Sequence, residues 1–468
     1  METLKIKRII LPIVLVTLVA GCVVKPFKTN MGVMTKGLYR DSVTVDTTSI
    51  ANINWHDFYS DPYLQQLIKQ ALDSNLSVRL AINRLSQASQ YYKQSEAAFL
   101  PTLNLGLNGS LSNVSKYGNS AVPLTVPITD LNLGLTAGWE LDVWGKLNSA
   151  KKAQLATMLQ QKATVEATRT QLISNVASAY YQLVLLDKQK QVTMQSIENY
   201  TKYLSMVQSM KKSAQVNEVA VLQAKAQLAS ASVYLPQINL SIVTTENYLA
   251  ELLGKAPSPI VRSDSIDLTL FHTEPLHIGI PVQMLRRRPD VLAAEYALRA
   301  SHEQFNVATA AMYPQFSLTG AFGTDTKSIA NWFNLPGSIF WSAVAGLTQP
   351  ILNGRALRTQ HEVAKLQEAA ALLTFKQTLL DAGSEVSNAL ASMHYLQQQA
   401  TYQKEQVDAL KTAYNYSQKL LMNGYATYLD VLNAQNNELA IELSLYNTYN
   451  NIIQQKITLY RALGGGWQ

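Results

Sequence analysis

The sequence predicts an α+β membrane protein in which four membrane-length strands interrupt a mainly helical chain. Three observations point there. Two almost glycine-free and wholly proline-free helical stretches are much longer than a compact domain needs. Four segments alternate apolar residues with small or polar ones at a spacing of two. The whole pattern also occurs twice, at an offset of roughly 210 residues, too long for a solenoid period.

The N-terminus carries its own signal. Lys5, Lys7 and Arg8 precede an apolar run, Ile9 to Val19, that is too short to span a bilayer stably. The run closes on Val19-Ala20-Gly21-Cys22, and small residues before a cleavage point mark residues 1–21 as a secretory signal peptide. A cysteine directly after Ala-Gly resembles a bacterial lipobox, in which the cysteine is acylated and becomes the new N-terminus. Cys22 is the chain's only cysteine, so an intrachain disulfide is excluded. Val23 follows it, where an Asp would favour inner-membrane retention; the outer membrane is therefore the expected destination. No apolar run of spanning length follows. Residues 22–60 read as an extended, lipidated segment.

The formal net charge of +7 falls to about +5 once Lys5, Lys7, Arg8 and Glu2 leave with the signal peptide. Only 15% of residues are charged, and the basic excess is scattered without interleaved aromatics. That pattern describes solvated helix faces and argues against nucleic acid as a partner.

The two copies are residues 61–254 and 281–468, joined by a linker at 255–280 that is rich in Pro, Ser and Asp. Phe99-Leu100-Pro101 matches Met312-Tyr313-Pro314, Trp144-Gly145 matches Asn353-Gly354, and Leu252-Leu253-Gly254 matches Ala462-Leu463-Gly464. Each copy reads helix, strand, loop, strand, very long helix, break, helix. Asp61-Pro62 is an N-cap with proline at the first helical position, and the helical pattern runs from there to Phe99. Pro101 ends it.

Strands are expected at about 102–111 and 131–139, around a loop at Gly118 to Pro127, and again at about 315–323 and 339–348. Each is about ten residues, the length that crosses an outer membrane when tilted. Four strands cannot close a barrel, and an open edge in lipid leaves N–H and C=O groups unpaired. Strands are therefore borrowed from further copies of the chain; three copies give a closed set of twelve. From Gly145 to Lys212 and from Arg355 to Asn423 the chain is free of proline, and each stretch can reach on the order of 100 Å as helix. Shorter partners run from Glu218 to Leu253 and from Thr427 to Leu463. Leu172, Val176, Ala179, Leu183 and Leu186 follow heptad steps, and Leu366, Leu373 and Leu380 recur every seven, as coiled-coil packing requires.

Several stretches resemble the TolC/OprM-type outer-membrane factors, in their lipoprotein branch serving resistance–nodulation–division efflux systems. The most specific is Leu285-Arg-Arg-Arg-Pro-Asp290 with Ala293-Ala294-Glu295, Tyr313-Pro314 and Leu318-Thr-Gly320. Glu140-Leu-Asp-Val-Trp-Gly-Lys146, Leu429-Asp-Val-Leu-Asn-Ala-Gln435 and the ending Leu459-Tyr-Arg-Ala-Leu-Gly-Gly-Gly-Trp467 are also similar. The likeness runs from Trp55 to Trp467. It implies a homotrimer with a twelve-strand outer-membrane β-barrel continued by a twelve-helix periplasmic α-barrel. It also implies a periplasmic adaptor and an inner-membrane transporter as partners, and passive conduction of small molecules as the function. Type I protein secretion is the alternative within the family, and a lipid-anchored periplasmic coiled-coil scaffold the alternative outside it.

By the same resemblance, Leu429 and Asn433, with Val219 and Gln223 at the equivalent places in the first copy, narrow the tunnel as a periplasmic gate. Leu429 and Asn433 lie four apart and share a helix face. The breaks at Ser213 to Asn217 and Asn423 to Thr427 are the expected adaptor-docking tips, with Ala214, Asn217, Gly424, Tyr425 and Thr427 as the contact residues. Three departures from the family pattern bear on mechanism. Ala214 replaces a glycine, Leu420-Leu421 replaces an Arg-Tyr pair, and Asn433 replaces an Asp whose carboxylates ring the constriction.

Catalytic constellations are missing from the sequence. The six histidines (His56, His272, His277, His302, His361 and His394) show no paired-ligand spacing, so no metal site is expected. There is no P-loop lysine motif and no GxSxG elbow. Gly464-Gly-Gly466 reads as a helix stop, and Arg286-Arg-Arg288 as a basic cluster opening a helix. The chain is expected to be no enzyme and to hold no cofactor beyond lipid on Cys22.

Overall fold

The computed structural model describes residues 24–27, 50–112, 128–264, 287–332 and 334–466. The expected signal peptide, Cys22, the loop at Gly118 to Pro127, linker residues 265–280 and Trp467 lie outside the described residues. The elements run α1 (Trp55–Phe58), α2 (Pro62–Ser74), α3 (Leu76–Ala97), β1 (Thr102–Ser112), β2 (Ile128–Leu141), α4 (Lys146–Lys212), α5 (Glu218–Leu252), α6 (Pro289–Ala310), β3 (Gln315–Thr326), β4 (Ile339–Thr348), α7 (Ala356–Met422) and α8 (Tyr428–Ala462). No described helix is long and apolar enough to cross a membrane. The chain divides into two compact units. One comprises residues 1–32, 85–161 and 294–375; the other comprises 33–84, 162–293 and 376–468. Each unit draws residues from both copies of the repeated pattern.

The first unit holds a four-stranded antiparallel sheet in the order β1-β2-β3-β4. Its register aligns side chains in rows across the strands. Leu105 pairs with Leu135, Leu135 with Phe322 and Phe322 with Trp341, while Leu107, Leu133, Thr324 and Ile339 form the next row on that face. On the other face the row between them carries Gly106, Gly134, Gly323 and Phe340, and the flanking rows carry Asn104, Thr136, Ala321 and Ser342, and Asn108, Asn132 and Asp325. One face is therefore apolar and the other polar, with period two. The apolar face is not covered by the described residues: Leu103, Leu105, Leu107 and Leu111 are each at least 66% exposed. Trp139 donates its indole N–H to the Phe99 carbonyl at 2.9 Å, and Trp341 is exposed. Both have the apolar body and polar tip that suit a membrane–water boundary.

The second unit is helical. Its main core gathers Leu64 and Ile68 from α2, Val176, Tyr180 and Val184 from α4, Leu249 from α5, and Ile453 and Ile457 from α8. The first heptad seam is interior, with Leu172, Val176, Ala179 and Leu183 all buried. The second behaves differently. On α7, Leu366 and Leu373 of the first unit are 67% exposed and Leu380 of the second is 50% exposed, so this seam has no covering partner among the described residues. Leu222, Val233 and Leu240 of α5 are also exposed.

One helical expectation needs correction. The pattern expected to run unbroken from Pro62 to Phe99 breaks at Asn75, whose extended ψ of 128° separates α2 from α3. The Asn75 carboxamide accepts from the Ser77 and Val78 amides at 2.9 and 3.2 Å and donates to the Leu252 carbonyl at 2.9 Å. It caps α3 and the end of α5 together, and no local pattern announces that tertiary contact. The expected helix from Glu218 is present as α5, which contains Pro236 and continues through it despite the missing N–H.

Arg288, the last arginine of the basic cluster, is buried. It donates to Asp290 at 3.0 and 2.7 Å, to Glu385 at 2.8 Å and to the Ala462 carbonyl at 2.9 Å. Glu385 also receives Arg461. Burial opposes the charge on Arg288, but the Asp290 and Glu385 carboxylates outweigh it and hold the guanidinium above its ordinary range. The start of the linker is pinned in the same manner: Arg262 reaches Asp187 at 2.9 Å and Glu246 at 2.6 Å.

Removing one member of a buried ion pair strands the others without compensation. Arg288→Met is expected to cost about 3–5 kcal/mol, and the double variant Arg288→Met/Glu385→Gln less than the two single costs combined. Urea unfolding in detergent checks both; an unchanged midpoint for Arg288→Met contradicts the assignment.

Candidate functional site

Both breaks expected in the long helices are present, and both are built the same way. In the first, the Gln215 amide donates to the Met210 carbonyl at 3.0 Å and the Ala214 amide to Lys211 at 2.9 Å. In the second, Tyr425 donates to Leu420 at 2.8 Å and Gly424 to Leu421 at 3.1 Å. This nested pair of bonds is the Schellman C-cap, which needs a left-handed residue just past the helix. Gly424 supplies it with φ +77°, and Ala214 is driven to φ +60° without glycine's freedom.

Each following helix is capped by different chemistry. Asn217 accepts the Ala220 amide at 3.2 Å, and Lys211 pairs with Glu218 across the first turn. In the second turn the Asp430 carboxylate accepts the Thr427 amide at 2.8 Å and its hydroxyl at 2.6 Å. The Thr427 hydroxyl and then its amide hold the Asp430 carboxyl below its usual range. Tyr425 projects from the turn, 82% exposed.

Just behind the turns the two hairpins share one apolar cluster. Tyr203, Val207, Ala220, Val221, Ala224, Leu421, Val431 and Leu432 are its buried members. The four expected gate residues lie off that cluster. Val219 is 54% and Leu429 41% exposed, and Gln223 and Asn433 are exposed too. Leu429 therefore does not pack into a seam within the protomer. The structure also joins the copies directly, because the Tyr428 hydroxyl donates to the Gln223 side-chain oxygen at 2.9 Å while the Tyr203 hydroxyl donates to the Tyr428 carbonyl. Sequence reading missed Tyr203 and Tyr428. The signal was there in an aromatic standing next to Leu429, but its partners come from the other copy.

No cluster of three or more metal-ligating side chains occurs among the described residues. Leu421, in the Leu-Leu pair that departs from the family pattern, is buried in the shared cluster, while Leu420 stays largely exposed.

Residues 67–255 and 280–465 match the family described as outer membrane efflux protein. The cation efflux system protein CusC of Escherichia coli O6:H1 is 28% identical over 421 residues, 89% of this chain and 89% of its own. The probable outer membrane lipoprotein SilC of Salmonella typhimurium is 26% identical over 431 residues, 92% of each chain. Among solved structures, the outer-membrane channel OprN is similar with a TM-score of 0.87 at 25% identity, covering 96% of this chain and 100% of that one.

The tip geometry makes two predictions. Ala214→Gly relieves a left-handed alanine and is expected to stabilise the first turn by about 1 kcal/mol, read by chemical denaturation; Ala214→Val should do the opposite. The Asp430 cap belongs to a carboxyl with a lowered pKa. Its contribution is present above the ordinary carboxylate range and is lost as pH falls through the lowered value. Proteolytic nicking at Tyr425 should rise on acidification in the wild type. In Asp430→Asn it should already be elevated at neutral pH and change less.

Proposed function

The chain belongs to the outer membrane efflux protein family, and we propose that it works as the trimeric outer-membrane exit duct of a tripartite efflux pump, passing small molecules handed over by an inner-membrane transporter. The observation that carries this reading is the two-faced, four-stranded sheet. One face is apolar and uncovered, the other polar, and β1 and β4 each leave one edge without a strand neighbour among the described residues. A sheet of that kind is a third of a wall between lipid and water, and three protomers close it with twelve strands. The exposed seam of α7 and the exposed apolar residues of α5 are the corresponding unpaired surfaces of the helical part, where neighbouring protomers pack to form a twelve-helix tunnel.

In the assembled duct, Leu429 and Asn433, with Val219 and Gln223, line the periplasmic constriction. Their exposure beside the tip turns supports this. A leucine ring resists wetting, and an asparagine ring offers hydrogen bonds without fixed charge. The turns at Ala214 to Asn217 and Gly424 to Thr427 receive the periplasmic adaptor, whose docking is supported by their exposure and by the shared cluster that holds them rigidly. Cys22 carries lipid that tethers each protomer. Two or more acyl chains bind a membrane stably where one binds marginally.

Planar-bilayer recording tests the gate. Leu429→Ala should raise conductance or antibiotic leakage, and Asn433→Asp should add cation selectivity. Two variants indistinguishable from wild type would place the constriction elsewhere. A bulky residue at Ala214 or Tyr425 should abolish efflux while leaving trimer yield intact, and mass spectrometry of the mature N-terminus should find an acylated Cys22.

A further inference from the structure

Residues 24–27 are held by side chains of α6 that the efflux reading does not use. Asn306 engages the backbone of Lys25 in both directions: its carboxamide donates to the Lys25 carbonyl at 3.0 Å, and its oxygen accepts the Lys25 amide at 3.3 Å. That is the bond pattern of a β-ladder, with a side chain in place of a strand. His302 Nε2 donates to the same carbonyl at 2.9 Å, and the Glu368 carboxylate of α7 holds Nδ1 at 2.7 Å, fixing the ring. Phe27 meets the His302 ring edge-on at 5.5 Å, with the Arg299 guanidinium over its face at 5.3 Å. Val24 lies against Gly145, where an added Cβ would come within 3.1 Å of it.

This site is built for its occupant. Arg299, His302 and Asn306 stand at i, i+3 and i+7 on one face of α6. With the segment in place Asn306 is 1% and His302 6% exposed, and the Lys25 backbone shares them with Glu303 and Glu368. Leaving such groups without it would cost the desolvation of each. The Lys25 side chain, by contrast, is not used: the residue is exposed and only its backbone is read.

We propose that Arg299, His302 and Asn306 form a receptor for the chain's own N-terminal segment, recognising the peptide backbone at Lys25 and the ring of Phe27. Its consequence for anchoring rests on the acylation of Cys22 proposed above; the receptor itself does not. Three residues of chain span at most about 11 Å, so with the Lys25 backbone held on α6 an acylated Cys22 is confined to about that reach of the receptor. The receptor therefore sets where the lipid anchor attaches to the folded protomer.

Hydrogen–deuterium exchange on the full-length protein in detergent tests this, read on a peptide containing the Val24, Lys25 and Phe27 amides. In the wild type the Lys25 amide, which donates to Asn306, should exchange at least about tenfold more slowly than in the same peptide free in solution. Asn306→Leu and His302→Leu should each return it toward the free rate. Lys25→Ala should change nothing, because only its backbone is read. Cys22→Ser should also change nothing, because the receptor needs no lipid. Free-peptide exchange in the wild type overturns the proposal, as does release of the segment in Cys22→Ser or unchanged protection in a folded Asn306→Leu protein. Where the leucine variants fail to assemble, the wild-type comparison with free peptide decides alone. An unmodified Cys22 by mass spectrometry would remove the anchoring consequence and leave the receptor standing.

Discussion

Unsatisfied backbone at the edges of a short sheet is the constraint on which the rest of the structure depends. β1 and β4 each have one strand neighbour in the protomer, and the apolar face they help form is uncovered. In water such a sheet exposes a large apolar patch; in lipid its edges leave donors and acceptors without partners, each costing several kcal/mol. Neither solvent suits the isolated chain. The same incompleteness recurs in the helices, where Leu366, Leu373 and Leu380 keep coiled-coil spacing but remain exposed. Sheet and helices thus point to the same remedy, further copies of the chain, through two independent kinds of surface.

Within the protomer, helix ends and a few buried charges fix how elements around the apolar core are joined. The helices α4, α5, α7 and α8 all end in nested C-cap bonds, with left-handed residues at Ala214, Gly254, Gly424 and Gly464. Gly254 and Gly464 are also close approaches: a Cβ would meet Ser74 backbone at 2.9 Å in one case and Arg287 backbone at 2.8 Å in the other. Ala214 and Gly424 face no such crowding at the glycine, and it is there that one copy has exchanged glycine for alanine. Conformation alone constrains a tip turn, whereas conformation and packing together constrain the interior ends.

Much of this was legible because long elements announce themselves. The strands fell within three residues of the expected bounds, since alternation and flanking Pro101 and Pro314 are local signals. The two turns were read from breaks in the long helices, and the residues proposed for the gate from resemblance; both stand beside the cluster that holds Val221 and Val431. What escaped was nonlocal. Asn75 breaks a helix because it caps another helix far away in sequence. Tyr203 and Tyr428 join the two copies, which no single-copy pattern displays. His302 and Asn306 looked like ordinary polar residues on a helix until the segment they hold came from the opposite end of the chain. Periodicity also could not tell which heptad seam is interior. Leu183 and Leu373 sit in equally regular patterns, and only the second is exposed in the protomer.

The charges near the proposed constriction bear on what opens it. Asp430 is bound up in capping Thr427, and Glu218 is paired with Lys211. The four residues proposed to line the ring are Leu429, Asn433, Val219 and Gln223, none of which titrates. A ring without titratable groups gives protons no direct hold on the closed state. A conformational equilibrium shifts only by the differential affinity of whatever binds its two states. The exposed groups best placed to supply that difference are the tip turns, where Tyr425 projects and the caps of α5 and α8 are polar and accessible. Engaging those caps bears directly on the first turn of α8, which carries Leu429, and on the first turn of α5, which carries Val219. On this reading the proposed ring gives protons no hold, and what shifts it is the preference of the proposed adaptor for one arrangement of the tips.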